Sequence, residues 1–324
     1  MPDPNLGEAA ATVFERKFGD KPRDAIFTSR AFFYSLGKNG FKEEADGGRV
    51  FEFGLEFAEN TNFHSYGEAD ELDSARISVF DAVRFDPKIH AGTVSYSELE
   101  RLRAQARAGK YDLLGEKLEN GKDSHIADMN RTIWGSASTG NDFHGIQFLI
   151  STTPTTQGAV GGISRTTFTF HRNRQNSAAQ SVSAFDNLRS AWTTTYNQCS
   201  LGGVKHTPRW VGMTRVVFQG YEQILVAIEQ IAEAKMKLQG DIAFDNELLR
   251  FKAAQCYFDE DAAAGNAYFY QNQDVKLVYY KGGWMHMYPG VDPSNQLMNV
   301  HKLATYGNLC IAVSRHLGVA NATT

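Results

Sequence analysis

Apolar side chains recur at helical spacing over one long stretch of the chain, residues 96–134. The recurring positions are Leu99, Leu102, Tyr111, Leu114, Leu118, Ile126, Met129 and Ile133. Their separations are mostly threes, fours and sums of these, which is the spacing of one buried helical stripe. No proline interrupts the stretch. The pattern therefore predicts a single long helix, which would span roughly 60 Å at 1.5 Å per residue.

The ends and the glycines of this stretch refine that prediction. Ser97 can act as N-cap, and Glu98 and Glu100 place carboxylates in the first turn, where the helix dipole favours them. Three glycines each weaken a helix by roughly 1 kcal/mol relative to alanine; they are Gly109, Gly115 and Gly121. A kink or break near Gly121 is therefore an open alternative, and so are two ordinary core helices in place of one long helix.

A period of two appears ahead of the helix, in residues 50–57. Phenylalanine and leucine alternate there with polar residues, with Glu52 and Glu56 on the opposite face, which predicts a half-buried β-strand. A second strand is predicted at 75–85, and the polar connection between the two is far longer than a tight turn. This long hairpin is marginal alone, so it needs a surface to lie on, in its own subunit or in a neighbour.

The rest of the chain alternates between short apolar runs and amphipathic helices. The pattern predicts helices at 183–198 and 221–238, a buried strand at 210–218, a short strand or turn at 145–150, strand alternation at Phe168 and Phe170, and mostly strands from Leu248 onward. Residues 1–24 read as a mobile arm, and residues 25–36 carry enough apolar mass to dock. A hairpin, a long helix and a following region of mixed helices and strands together predict an α+β fold.

Composition narrows the class of protein. The chain has 324 residues, 42% hydrophobic residues and a net charge of −4, so a basic, sequence-reading nucleic-acid binder is not indicated. No apolar run approaches the length of a membrane span, and no signal peptide is recognisable. The three cysteines are far apart, which is typical of a reducing compartment without disulfides.

Charge is strongly segregated along the sequence. Residues 41–75 contain ten acidic and two basic residues, which gives −8, whereas residues 145–220 contain seven basic residues and one acidic residue, which gives +6. Single exposed ion pairs contribute little, but segregation on this scale favours steering one surface onto another. The predicted inter-subunit contacts are Glu52, Glu56, Glu68, Asp70, Glu71 and Asp73 against Arg165, Arg172, Arg174, Arg189 and Arg209.

No catalytic, cofactor or metal site emerges from the motifs. The histidines lack HExxH spacing, no CxxC pair exists, and GAVGG lacks the spacing of a phosphate-binding loop. The cluster of Asp259, Glu260 and Asp261 is interpreted as a solvated loop, with a cation site as the minority alternative. The sequence therefore predicts a protein that is not an enzyme.

Four segments resemble, in the same order, parts of tailed-bacteriophage major capsid proteins. They are RVFEFGLEFAENTNFHSYGEADELD (49–73), GAVGGISR (158–165), ELLRFKAAQCYFDEDAAAGNAYFYQNQDVKLVYY (247–280) and NQLMNVHKLATYGNLCIAVSRHLGVA (295–320). Each motif is loose, and their order carries the resemblance. It implies the Hong Kong 97-type capsid fold.

The resemblance also implies a division of the chain. Residues 1–48 would be the N-terminal arm, 49–94 the extended β-hairpin loop, and 95–180 the peripheral domain with a spine helix at 96–134. Residues 181–296 would form the axial domain, and 297–324 a C-terminal strand that returns to the peripheral domain.

The implied function is self-assembly into pentamers and hexamers of an icosahedral shell around double-stranded DNA, which the shell contacts non-specifically. The virion would be its location and the host cytoplasm its place of assembly, with portal and cement proteins as further partners. No lysine lies between Lys42 and Lys88, so a covalent crosslink from the hairpin is not expected. The short segment ahead of the first apolar run leads us to expect a separate scaffold protein.

Two alternatives remain open at this level. An encapsulin-type compartment shell, which encloses protein cargo, shares the implied fold and differs little in sequence pattern. An α+β enzyme without a recognisable motif is the alternative from another class.

Overall fold

The computed structural model describes residue 32 and residues 41–68, 70–105, 113–138, 140–176, 185–200, 206–229, 249–293 and 297–321. The predicted mobile arm at 1–24 lies outside these residues, as does the end of the helix predicted at 221–238. Of the apolar segment 25–36, only Phe32 is described. Its side chain is fully buried in the core.

The first half of the described chain contains the hairpin and the helix that follows it. Its elements are β1 (Lys42–Ala45), β2 (Phe51–Glu56), β3 (Phe80–Phe85), β4 (Lys88–Ser97), α1 (Glu98–Gln105), α2 (Leu113–Trp134), α3 (Ile146–Leu149), β5 (Ala159–Val160), β6 (Ile163–Ser164), a 3-10 turn (Thr169–His171) and β7 (Arg174–Asn176).

The second half supplies two further helices and most of the strands. Its elements are α4 (Phe185–Cys199), β8 (Trp210–Met213), α5 (Arg215–Glu229), β9 (Arg250–Phe251), β10 (Ala254–Phe258), β11 (Asn266–Tyr270), β12 (Val275–Tyr280), β13 (His286–Met287), β14 (Met298–Ile311), a 3-10 turn (Ser314–His316) and β15 (Gly318–Asn321). The α+β prediction is confirmed.

The predicted hairpin is present with a shorter second strand. β2 pairs antiparallel with β3, from Phe51 opposite Phe85 to Glu56 opposite Phe80. Residues 75–79, predicted as strand, have no regular structure. The alternation in β2 is as expected, because Phe51 and Leu55 are buried and the glutamates are exposed.

A five-stranded sheet is built around the long strand β14. β4 runs antiparallel along one edge of β14, while β12 and β13 pair antiparallel with it along the other. β1 then adds parallel to β12. Because β4 includes residues 88–97, the residues predicted as the end of the hairpin loop belong to this sheet, and the two-stranded hairpin ends at Phe85.

The stretch predicted as one long helix is two helices. Lys117 Nζ lies 2.8 Å from Glu100 Oε2, although residues seventeen apart in one straight helix would be separated by roughly 25 Å. The single-helix prediction is therefore wrong. Two helices are present, as in the alternative, but only α2 packs in the core, because Leu99 and Leu102 of α1 are 57% and 51% exposed. The predicted N-cap is confirmed, because Ser97 Oγ accepts from Glu100 N–H at 3.2 Å and Glu100 Oε2 accepts from Ser97 N–H at 3.1 Å.

Gly121 lies inside α2 and does not break it. A Cβ at this position would overlap Cγ2 of Val94 on β4. The glycine therefore allows the helix backbone to lie directly on the five-stranded sheet, a close approach that any larger residue would prevent.

A six-stranded sheet has the order β7-β15-β11-β8-β10-β9. β8 pairs parallel with β10 and antiparallel with β11, and β15 joins β11 to β7. Both faces are covered. Alternate side chains such as Val211 and Phe269 pack against α4 and α5, and those on the opposite face, such as Tyr257 and Tyr268, pack towards Trp134 of α2.

The boundaries of several shorter elements differ from the predictions. The run at 210–218 is a strand only to Met213, after which Thr214 O accepts from Phe218 N–H and opens α5. Residues 146–149 form one helical turn, and Phe170 lies in a 3-10 turn. These runs are too short for periodicity to distinguish strand from helix.

The strands of the second half of the chain are distributed between the two sheets. β12 and β13 lie between residues 275 and 287, inside the segment predicted as axial domain, but both join the five-stranded sheet. β14 belongs to the five-stranded sheet as well, whereas β15 leaves it for the six-stranded sheet. The last described residues therefore tie the two sheets together.

Candidate subunit-contact surface

The base of the hairpin is anchored to its own chain. Phe51, Leu55, Val83 and Phe85 are all at most 6% exposed and belong to the main hydrophobic core. The Phe51 ring lies 5.2 Å from the ring of Tyr280 in β12. The strands therefore rest on the subunit that contains them, and the prediction that the hairpin needs a supporting surface is met at its base.

The glycine-rich turn between β5 and β6 supports the other side of the base. Arg84 N–H donates to Gly161 O at 2.9 Å, and a Cβ on Gly161 would overlap Val83. The ring of Phe57 stacks on Phe170 with centroids 5.1 Å apart. GAVGG is thus a docking turn for the hairpin, since β3 approaches Gly161 too closely for any side chain.

The tip of the hairpin, residues 58–79, extends away from the core and is organised by its own polar groups. Asp70 Oδ2 accepts from Gly67 N–H at 2.6 Å, and Tyr66 O–H donates to Asn62 O at 3.2 Å. Asn62 N–H donates in turn to Asn60 Oδ1. These bonds give the tip a defined shape, although little of it is buried.

The tip carries both charge and exposed apolar area. Four of the predicted contact residues lie there and are exposed: Glu68, Asp70, Glu71 and Asp73. Phe63 is 83% exposed and Leu72 is 74% exposed. Neither apolar residue is among the contacts predicted from the sequence. They could have been noticed in the sequence, because they are large apolar residues in an otherwise polar connection.

The other two predicted acidic contacts lie on β2 and are exposed. Glu52 forms an ion pair within its own hairpin, with Arg84 Nη2 3.0 Å from Glu52 Oε1. Glu56 ends the strand opposite Phe80. Glu52 is thus already used in the hairpin, whereas Glu56 faces solvent beside the tip.

The predicted basic contacts fall into separate places. Arg172 donates to Thr166 O at 2.6 Å and is partly exposed. Arg174 lies on β7, where burial and the nearby charge of Arg315 lower its pKa. Arg189 lies on α4 and Arg209 precedes β8, both exposed. Within the described parts of the chain, no ion pair joins these arginines to the six acidic residues.

Arg165 is not a surface residue, so the structure removes it from the predicted contacts. Its side chain is fully buried, and burial lowers its pKa to about 9. The guanidinium donates to five neutral acceptors, which are His171 O, Gln157 Oε1, Asn173 Oδ1, Leu149 O and Ser314 Oγ. It holds the segment 149–173 together and cannot reach a neighbouring subunit.

The acidic cluster at 259–261 is likewise different from the solvated loop predicted. Asp259 is 1% exposed, and burial raises its pKa. Its carboxylate accepts from Asn130 Nδ2 at 3.1 Å and from Phe32 N–H at 3.2 Å. Among the described residues, no group of three or more metal-ligating side chains could hold an ion.

Two buried histidines, His125 and His171, and the half-buried His144 are held neutral by their surroundings. Burial lowers the pKa of His125, His144 and His171 to about 4 in each case. A nearby cation adds to the effect at His144, where it is Lys88, and at His171, where it is Arg165. His125 lies over His90, with ring centroids 4.7 Å apart, and its Nε2 is 2.9 Å from Thr305 Oγ1.

Known proteins resemble this chain in structure rather than in sequence. No protein-family model and no curated protein matches it. The capsid asymmetric unit of cyanophage A-1(L) aligns with a TM-score of 0.68 at 12% identity, covering 94% of this chain and 96% of the other. The capsid of Myoviridae phage XM1 gives 0.60 at 9% identity, with 96% and 98% covered.

A third similar structure is the SrpI encapsulin of Synechococcus elongatus PCC 7942. It gives a TM-score of 0.59 at 9% identity and covers 97% of this chain and 94% of its own. This chain has the capsid-shell fold. The resemblance to tailed-phage capsid proteins is thus confirmed at the level of the fold. In the described part of this capsid-fold chain, no helix has the length and apolar character needed to cross a membrane.

Proposed function

We propose that this chain is the major capsid protein of a tailed double-stranded DNA bacteriophage and assembles into the pentamers and hexamers of an icosahedral shell. The observation that carries the proposal is the extent of the structural match. Phage capsid structures align over nearly all of this chain and nearly all of their own. Because the alignment covers nearly the whole chain, no described part of the structure needs to be assigned to a different kind of protein.

The parts of the structure take the following roles in the proposal. The hairpin β2–β3 with its tip is the extended loop, and α2 is the spine helix of a peripheral domain that includes the five-stranded sheet. The six-stranded sheet with α4 and α5 is the axial domain. Residues 1–48 are the N-terminal arm.

The hairpin tip supplies the proposed contact between subunits. Its base is rigidly docked on its own core, while the tip presents Phe63 and Leu72 to solvent among four carboxylates. An exposed, ordered apolar and acidic element suits an interface with a basic partner surface. Arg172, Arg174, Arg189 and Arg209 of a neighbouring subunit are the proposed partners. Contacts of this kind hold a shell without covalent crosslinks.

Size exclusion followed by negative-stain electron microscopy of the purified chain tests the proposal. Closed shells, tubes or rings of five or six subunits are expected, and an SDS gel should show a single monomer band. A scaffold protein is the proposed assembly partner. A chain that stays monomeric even when co-expressed with the neighbouring phage structural proteins would contradict the proposal.

The second candidate function is an encapsulin-type shell around protein cargo, which the match to the SrpI encapsulin favours. The contents of purified particles separate the two candidates. Packaged double-stranded DNA, resistant to nuclease until the shell is opened, supports the phage capsid. A stoichiometric co-purifying enzyme, without nucleic acid, supports the compartment.

A further inference from the structure

Two arginines lie close together at the β7 edge of the six-stranded sheet. Arg174 begins β7, and its backbone N–H donates to Leu317 O at 2.8 Å. Arg315 lies in the 3-10 turn that leads into Leu317. The strand pairing therefore brings the two cations together, and burial and the charge of Arg315 both lower the pKa of Arg174.

One of these arginines is partly enclosed by the protein and the other is open to solvent. Arg174 is half-buried, and its Nε–H group is fully buried without a hydrogen-bond partner among the described residues. Arg315 is exposed. A buried donor without an acceptor destabilises the folded state. The pair therefore combines an unused donor with a cation that a solute can reach.

No acidic group of the described chain compensates the two charges, since neither arginine forms an ion pair there. The Asp274 carboxylate bonds to the same 3-10 turn, but it is occupied by His316 Nδ1 at 3.2 Å and Gln271 Nε2 at 2.9 Å. Cys199, at the end of α4, packs near Arg174 across Gly318. Burial raises the pKa of the Cys199 thiol, so the thiol is neutral at pH 7.

A phosphate group matches two uncompensated guanidinium groups better than a carboxylate does. A guanidinium presents several N–H donors in one plane and pairs with phosphate oxygens two at a time. The tetrahedral phosphate has oxygens enough for two guanidinium groups at once, whereas a carboxylate has only two oxygens and one charge.

We propose that Arg174 and Arg315 form a binding site for one phosphate group, in which the buried Nε–H of Arg174 is the innermost donor. Free inorganic phosphate and the phosphodiester backbone of nucleic acid present this same chemistry. The inference goes beyond the proposed function, because binding does not require a shell. Arg174 is also a proposed partner of the hairpin tip, but Arg315 is not, so variants at Arg315 separate the two roles.

Equilibrium dialysis of the purified full chain against radiolabelled inorganic phosphate tests the site. One phosphate should bind per chain. Arg315→Gln should weaken binding at least about tenfold, because it removes one of the two guanidinium groups from an exposed position where folding is little affected. Arg250→Gln is the matched control, since Arg250 is exposed on β9 at the opposite edge of the same sheet; it should leave the affinity unchanged. No phosphate binding by the wild type, or equal affinities of Arg315→Gln and the wild type, would overturn the proposal.

A second variant tests the role of the buried donor. Arg174→Lys keeps the positive charge and removes the Nε–H group, so it should also weaken phosphate binding at least about fivefold. Unchanged affinity of this variant would contradict a site built on directed N–H donors.

Competition identifies the source of the phosphate group. Short duplex DNA that displaces the labelled phosphate from the wild type, and binds Arg315→Gln more weakly, supports the site and assigns it to the nucleic-acid backbone. Retained phosphate in the presence of duplex DNA supports the site and assigns it to the free ion. Displacement by acetate at the same concentration as unlabelled phosphate would overturn the proposal in favour of a carboxylate contact.

Discussion

At the scale of single residues, the buried guanidinium of Arg165 is the feature most sensitive to substitution. Lysine carries the same charge but only three donors, so Arg165→Lys removes at least two of the five hydrogen bonds that this buried side chain donates. We expect the free energy of unfolding to fall by about 2–4 kcal/mol, measured by urea denaturation. Arg209→Lys, at an exposed position, should change it by less than about 0.5 kcal/mol. Equal effects of the two variants would contradict the role assigned to Arg165.

The three histidines with lowered pKa values lead to a second prediction at this scale, for the dependence of stability on pH. The folded-state pKa values of His125, His144 and His171 are about 4, below the unfolded value of about 6.5. Between these values the unfolded chain binds more protons, so stability is highest above pH 6.5 and falls as the pH drops towards 4.

Urea unfolding at pH 7.5 and pH 5.5 measures this effect. Each of the three histidines should lower the free energy of unfolding by about 1 kcal/mol at the lower pH. His125→Gln should remove about one third of the difference, because glutamine cannot be protonated at either pH. Identical stabilities of the wild type at the two pH values would show that these histidines are not held neutral.

At the residue scale, the sequence predicted only interactions between residues that are close together along the chain. The N-cap at Ser97 depends on residues three apart, and it was predicted correctly. Arg165 depends on acceptors as distant as Ser314, and Asp259 on Phe32, so neither burial could be read from neighbouring residues. Counting charges along the chain treated Arg165 as one more surface cation, although its acceptors are neutral groups that such a count ignores.

At the scale of elements, the docking of the hairpin on the β5–β6 turn makes a prediction for two adjacent glycines. Gly161 and Gly162 both have positive φ, +59° and +84°, but only a Cβ on Gly161 would meet neighbours, namely Val83 and Phe85. Both alanine variants carry the backbone strain, and only Gly161→Ala adds the overlap.

We therefore expect Gly161→Ala to be less stable than Gly162→Ala by about 2 kcal/mol, measured by thermal or urea unfolding. Gly162→Ala serves as the matched control for strain. If the two variants proved equally stable, the hairpin would not be seated on Gly161 as described.

Helices and strands whose apolar residues recur regularly over many positions could be predicted from the sequence. Features that depend on tertiary contacts could not. The alternation of β2 and the stripe of α4 follow from one buried face each, so both were found within a few residues. The stretch 96–134 has a continuous helical stripe, yet Glu100 and Lys117 meet because the chain folds back between α1 and α2. The spacing alone did not reveal the break, because the apolar residues of α1, Leu99 and Leu102, keep the helical spacing although they are 57% and 51% exposed, whereas Met129 and Ile133 of α2 are buried.

At the scale of the whole molecule, the proposed tip contact predicts that assembly depends on charge. Glu68 and Glu71 are exposed, so Glu68→Lys with Glu71→Lys should leave the free energy of unfolding nearly unchanged. The same double variant should reduce shell yield in size exclusion at least about tenfold, because like charges would face each other across the interface.

A compensating change tests the partner surface. Adding Arg189→Glu and Arg209→Glu should restore part of the yield if the tip meets those arginines in a neighbour. Undiminished assembly of the double lysine variant would remove the tip from the interface. Lost assembly with no rescue would place the partner surface elsewhere.

The order of motifs along the sequence was enough to predict the capsid fold, because order survives where identity does not. The solved shells share only 9–12% identity with this chain, and yet they align over nearly its full length. The assignment of β12, β13 and β15 to the two sheets could not be predicted, because it depends on pairings with strands that are separate in sequence.

Cryo-electron microscopy of particles formed by the purified chain tests the central claim most directly. We expect a closed shell of five- and six-fold assemblies, with the tip at residues 68–73 of each subunit lying against Arg172, Arg174, Arg189 or Arg209 of its neighbour. Particles in which every hairpin tip projects into solvent, or a preparation that remains monomeric under all assembly conditions, would contradict it.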